Sequence, residues 1–151
     1  MTVLLRRATA GDLPAIVAML ADDELGRHRE DATDPLPPAY AAAFGQIDAD
    51  PRQLLAVAEQ DGRLVGTLQL TFIPYLSHRG GERALIEAVR IAGDVRGEGL
   101  GRTMLEWAID QARQRGCHLV QLTTDRRRAD ARRFYESLGF TATHDCMKLS
   151  L

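Results

Sequence analysis

Apolar residues recur along this chain in two periods, one helical and one of strands. Val3 to Arg7 reads as a short strand. Leu13, Ile16, Val17 and Leu20 then fall at i, i+3, i+4 and i+7, the stripe of an amphipathic helix. Thr9-Ala10-Gly11-Asp12, just ahead of it, has the capping-box spacing that satisfies free N–H groups at a helix start. Gly26 to Pro38 holds Asp34-Pro35 and Pro37-Pro38, many charges and few apolar residues, and predicts a mobile loop. A weaker helix is expected over about Ala39 to Ile47. Leu54 to Glu59 and Leu64 to Phe72 read as strands joined at Asp61-Gly62, a hairpin turn in which glycine tolerates positive φ. Ser77 to Gly81 reads as a second loop and Ala84 to Ile91 as a further strand. A glycine-rich turn then leads into a long helix up to Arg115, with Gly116 as its C-cap. Leu119 to Thr123 follows as a buried strand that starts at His118. Ala131, Phe134, Tyr135 and Leu138 line a short helix ending at Gly139, and Phe140 to Leu149 is expected to close the sheet. Hairpins first and a strand–helix–strand crossover later predict an α/β fold with a mixed, mostly antiparallel sheet and about four helices.

Length and composition narrow the class. The 151 residues suit a single domain, 1–151, with 45% hydrophobic and 26% charged residues, as in globular proteins. A formal charge of −2 argues against nucleic acid or an anionic membrane as partner. Cys117 and Cys146 are too few for a disulfide framework, and with His28, His78, His118 and His144 they form no metal spacing. The short apolar N-terminal stretch ends at Arg6 and Arg7, unlike a signal peptide, and no run approaches the ~20 apolar residues of a membrane helix. A cytoplasmic protein without a metal is therefore expected, and a homodimer is compatible with the sequence.

The chemistry concentrates in Val89-Arg90-Ile91-Ala92-Gly93-Asp94-Val95-Arg96-Gly97-Glu98-Gly99-Leu100-Gly101-Arg102. A strand that enters a glycine-rich turn and then a helix presents backbone N–H groups at the positive end of the helix dipole, an anion site. Glycines let the backbone approach a phosphate, and Arg96 and Arg102 can add charge-assisted contacts. A mononucleotide P-loop requires Lys-Ser or Lys-Thr after its last glycine, which is missing here. A dinucleotide loop would use Gly97 and Gly99 but meets Arg102 at its third glycine, although Asp125 lies about where a ribose-binding acid would. Coenzyme A is the third candidate.

The spacing Arg96-x-x-Gly99-x-Gly101 after an apolar strand resembles the pyrophosphate loop of the GNAT superfamily of acyl-CoA-dependent N-acetyltransferases. Ala131-Arg132-Arg133-Phe134-Tyr135-Glu136-Ser137-Leu138-Gly139-Phe140 is similar to that superfamily's second acyl-CoA element, and the order of elements matches along the whole length. The resemblance implies acetyl-CoA as co-substrate and an amine-bearing acceptor. It implies that the backbone of Val89 and Ile91 holds the pantetheine arm, and that the N–H groups of Gly97, Glu98, Gly99, Leu100, Gly101 and Arg102 hold the pyrophosphate. It adds Arg90 and Phe134 to the coenzyme-binding residues. Arg128 stands where many relatives carry an Asn that contacts the coenzyme, so that contact is made differently or not at all.

Catalysis on an amine needs a proton acceptor, because a group of pKa ~10 is protonated at neutral pH, and a proton donor for the departing sulfur. Glu87 shares strand parity with Val89 and Ile91, which predicts one common face, and it resembles an acidic residue of polyamine-type relatives. It reads as base, as electrostatic anchor for the substrate, or as a solvent-facing charge. Tyr135 is implied as the acid at the coenzyme sulfur, with core packing as the alternative. The cluster of Arg126, Arg127, Arg128, Arg132 and Arg133 reads as a solvated face or as a contact for the coenzyme 3′-phosphate. A non-catalytic, acetyl-CoA-sensing module of the same fold is the rival to an enzyme. Acidic Glu30, Asp31 and Asp34 suggest a cationic acceptor, while Arg27, Arg29, Arg79 and Arg83 suggest an anionic one.

Overall fold

The structure, a computed structural model, describes residues 2–151, which divide into a larger unit ending at Gln121 and a smaller one beginning at Leu122. Strands β1 (Val3–Arg7), β2 (Gln53–Gln60), β3 (Arg63–Pro74), β4 (Glu82–Ile91) and β5 (Leu119–Leu122) form one sheet in that order. The pairs β1–β2, β2–β3 and β3–β4 are antiparallel. The N–H of His118 donates to the carbonyl of Glu82 at 2.9 Å, so β5 starts beside the start of β4 and runs the same way. Helix α4 (Leu100–Arg115) joins the two, the crossover that parallel neighbours require. The expected α/β class and its mostly antiparallel sheet are present.

Each face of the sheet meets different helices. Ala56, Leu68 and Gly66 lie in register on one face with Leu70 and Ile86, which pair with each other, and the buried Met104, Leu105 and Ala108 of α4 cover it. A Cβ at Gly66 would come within 2.4 Å of Met104 Sδ and 3.3 Å of the Arg90 carbonyl, so the buried Met104 would have to shift to admit it. On the other face Val57 packs with Ala8 and with Ile16 of α1 (Leu13–Ala21), flanked by Leu20, Leu55, Leu64 and Phe44 of α2 (Pro38–Ala49).

The punctuation expected from sequence is in place. Asp61 and Gly62 have φ of 51° and 76°, and Gln60 pairs with Arg63 across the two-residue turn. Gly116 ends α4 at φ 84°. The N–H of Thr9 donates to Asp12 Oδ2 at 2.8 Å, and a 3-10 turn (Ala10–Asp12) opens α1. Arg6 grips the same carboxylate at 2.7 and 3.1 Å, which with the Thr9 N–H lowers the Asp12 pKa to about 2. Between Ser77 and Gly80 the expected loop contains one helical turn, α3, in which His78 and Arg79 take left-handed φ of 55° and 59°.

Two expectations need correction. β5 is the last strand in the sheet order, and Leu119, Val120 and Leu122 are only half-buried; His118 is exposed and stacks on His78 at 5.0 Å between ring centroids. An outer strand has one unpaired edge, which apolar content alone does not reveal. Residues 140–151 form no strand, and Met147, Leu149 and Leu151 are exposed. Alternating apolar residues make a strand only where another backbone supplies the ladder, and the sheet ends at β5.

Candidate active site

β4 pairs with β3 as far as Gln69 opposite Glu87 and resumes at Thr67 opposite Arg90. Ala88 and Val89 thus face Leu68 together, a β-bulge, and Ala88 takes φ 55°. A left-handed alanine costs about 1–2 kcal/mol and persists only where its surroundings impose it. The extra residue changes the parity of the strand. Glu87 shares its face with Gln69 and Arg90, while Ile91, opposite Gly66, lies on the face that α4 covers. The expectation of one common face for Glu87 and Ile91 therefore fails, because a one-residue insertion flips every side chain beyond it. Glu87 itself is exposed.

β4 has ten residues and β5 four, so from the bulge onward β4 outruns its neighbour. Along that stretch the carbonyl of Val89 accepts Arg90 Nη1 at 2.9 Å, and that of Ile91 accepts Arg96 Nε at 3.1 Å. A 3-10 turn (Gly93–Val95) follows, then Gly97 at φ 82° and Gly99 at φ 84°, the latter at the N-cap of α4. No atom lies within 4 Å of where a Cβ would stand at either glycine. These glycines answer to backbone conformation, and they leave open space at the start of the helix. Helix geometry leaves the first N–H groups of α4, including those of Leu100, Gly101 and Arg102, without intrahelical acceptors at the positive end of the dipole. The turn fits a phosphate-bearing group such as coenzyme A.

The loop is held from behind. Arg96 Nη2 donates to the Asp22 carbonyl at 3.0 Å, and its guanidinium lies 3.8 Å from the Asp22 carboxylate. Arg90 pairs with Asp23 at 3.6 Å, with side chains 13% and 11% exposed, and Asp23 Oδ2 also accepts the N–H of Gly26. The end of α1 is thereby tied both to the bulge and to the loop. Arg102 pairs with Glu106 at 3.5 Å along the helix. Exposed pairs of this kind contribute little, whereas removing one partner of the enclosed Arg90–Asp23 pair leaves an uncompensated charge. Asp22, Asp23 and Ala88 carry no sequence signal of these roles: two carboxylates after a helix read as surface charge, and an alanine gives no warning of positive φ.

Sequence comparison settles the family. The acetyltransferase (GNAT) family matches residues 17–140, most of the chain and parts of both units. The chain belongs to the GNAT acetyltransferase family. It is 31% identical over 140 residues to the aminoalkylphosphonate N-acetyltransferase of Salmonella typhimurium, covering 93% of this chain and 86% of that one. A solved structure described as a transcriptional regulator from Bacillus halodurans C-125 is 51% identical, with a TM-score of 0.97 over 99% of this chain and 100% of that one. A Trypanosoma brucei acetyltransferase structure is 27% identical, with a TM-score of 0.80 over 99% of this chain and 100% of that one. GNAT membership makes the chain an acyltransferase and gives acetyl-CoA as the family's acyl donor.

The remaining candidates of this GNAT chain belong to the smaller unit. Phe134 and Tyr135 are half-buried on α5 (Ala129–Ser137), 5.4 Å apart between ring centroids, and the Tyr135 ring meets Phe140 edge-on at 6.1 Å. Arg128 occupies the N-cap of that helix. Arg127 holds Asp125 with two side-chain bonds of 2.9 and 2.7 Å, which push the Asp125 carboxyl well below the usual range. Arg126 pairs with Asp145, Arg132 with Glu136 and Arg133 with Asp130, the pattern of a solvated, self-neutralised face.

Proposed function

We propose that this chain transfers the acetyl group of acetyl-CoA to a primary amine. The observation that carries the proposal is the pair of left-handed glycines at the start of α4, which leave open space where side chains would stand. In this reading the N–H groups of Gly97 to Arg102 hold the pyrophosphate, and Arg96 positions the loop through Asp22 and Ile91. The carbonyls of Val89 and Ile91 each keep a second lone pair, so both remain able to accept from a pantetheine amide. Arg90, Arg128 and Phe134 complete the coenzyme-binding set. Bound there, acetyl-CoA supplies an activated thioester.

Glu87, exposed on the face that carries Gln69 and Thr71, takes the proton from the acceptor ammonium, directly or through water. The nitrogen attacks the thioester carbonyl, the carbon–sulfur bond breaks, and the Tyr135 hydroxyl returns a proton to the sulfur. A phenol near pKa 10 matches a thiolate of comparable basicity.

A second reading, a domain that senses acetyl-CoA without turnover, draws on the likeness to the Bacillus halodurans protein described as a transcriptional regulator. Calorimetric titration with acetyl-CoA, followed by thiol release against a panel of amines, tests both. Binding with turnover supports the enzyme, binding without turnover supports the sensor, and the absence of binding overturns both.

A further inference from the structure

In the sequence, the charges flanking the sheet point to a cationic and an anionic acceptor alike; in the structure their surroundings differ. Glu30 accepts the Tyr40 hydroxyl at 3.0 Å and pairs with Arg29 at 3.5 Å, and Asp31 caps the N–H of Thr33. Arg27 turns onto His28. Arg83 behaves differently. It is half-buried on β4, its guanidinium sits 4.2 Å over the Tyr75 ring, and its Nη1 donates to Gln121 Oε1 at 3.0 Å. Its Nε is enclosed and has no acceptor, and among the described residues no carboxylate pairs with it. The neighbouring Glu82 carboxylate is taken by Arg115 instead. A guanidinium has five N–H donors and matches the two-oxygen geometry of carboxylates and phosphonates. This one is oriented by a ring and an amide, is desolvated in part, and has no paired carboxylate among the described residues to compete with an incoming anion.

The register gives that anion a place. Ile73 opposite Arg83, Thr71 opposite Leu85 and Gln69 opposite Glu87 occupy successive rows of a single face of the sheet. Arg83 and Glu87 are four residues apart, about 13 Å along the strand, with the half-buried Leu85 between them. Building on the acetyltransferase reading, we infer that the acceptor is an amino acid-like molecule with a carboxylate or phosphonate bound by Arg83 and an amine presented at Glu87. The short aliphatic spacer between its two ends lies over Leu85.

The test compares four acceptors with saturating acetyl-CoA: 3-aminopropylphosphonate, 4-aminobutanoate, propylamine and 1,3-diaminopropane. The two anionic acceptors are expected to exceed propylamine in kcat/KM. Arg83→Gln raises their KM by roughly 10- to 100-fold, the worth of a charge-assisted hydrogen bond, and leaves propylamine unaffected. Arg83→Lys restores part of the loss. Preference for propylamine or the diamine in the parent, or an equal effect of Arg83→Gln on all four, overturns the inference. If no amine is acetylated, calorimetry with 3-aminopropylphosphonate decides separately. Binding that Arg83→Gln abolishes retains the anion site while the enzyme reading fails, and absent or unaltered binding removes the site.

Discussion

Gly99→Ala separates a ligand cradle from a mere helix cap. Gly99 has φ 84° and ψ 0°, and nothing lies within 4 Å of the position its Cβ would take. The free protein therefore resists the substitution only through backbone strain, about 1–2 kcal/mol for an L-residue in the left-handed region. At this chain length that lowers Tm by roughly 2–8 °C. A methyl group in that open space pushes a bound phosphate away from the α4 N–H groups, at a cost of about one charge-assisted bond, or a roughly 10- to 100-fold weaker Kd for acetyl-CoA. Gly62 provides the control: it sits at φ 76° in the β2–β3 turn, also with nothing within 4 Å. Gly62→Ala is expected to lower Tm by a similar amount and to leave coenzyme affinity alone. Thermal melts and isothermal calorimetry on the two variants measure both quantities. Equal Kd values for acetyl-CoA in the two variants refute the assignment of the loop.

Tyr135→Phe keeps the ring and removes the proton, so coenzyme affinity survives while the single-turnover rate falls about 10²–10⁴-fold; an unchanged rate assigns Tyr135 to packing. Glu87→Gln lowers kcat/KM most at neutral pH, and the deficit shrinks as pH approaches the pKa of the acceptor amine. A raised KM with intact kcat across the pH range makes Glu87 an anchor instead of a base. Asp12, with a pKa of about 2 in the fold against an ordinary ~3.9, contributes roughly 2 kcal/mol that is fully present above pH 4 and is lost as pH falls through 2. Urea melts at pH 7 and pH 2.5 should show that loss in the parent and not in Asp12→Asn; the same pH dependence in both contradicts the Arg6–Asp12 clamp.

Much of the frame was legible because it rests on local chemistry. Asp61-Gly62, Gly116 and the Thr9–Asp12 pair announce turns and caps through residues whose backbone preferences act over three or four positions. The glycine-rich turn was legible for the same reason. What the sequence hid depends on distant partners. The bulge at Ala88 arises from the pairing of β4 with β3, and no property of alanine marks it. The Arg96–Asp22 and Arg90–Asp23 ties span more than sixty residues of chain, and their acids carry no pattern of their own. The outer position of β5 and the lack of a strand over 140–151 follow from which backbones find ladders, a property of the assembled sheet.

The bulge in β4 also bears on how such a domain diversifies. Before it, Arg83, Leu85 and Glu87 share the face assigned to the acceptor; after it, Ile91 leads into the coenzyme loop on the opposite face, while Arg90 keeps the side of Glu87. Two functions are thus written on one ten-residue strand, on either side of the bulge. Substitutions before the bulge can retune which amine is accepted, and a directed-evolution library confined to positions 83 and 85, with Glu87 kept as the proposed base, samples acceptor choice at constant coenzyme affinity.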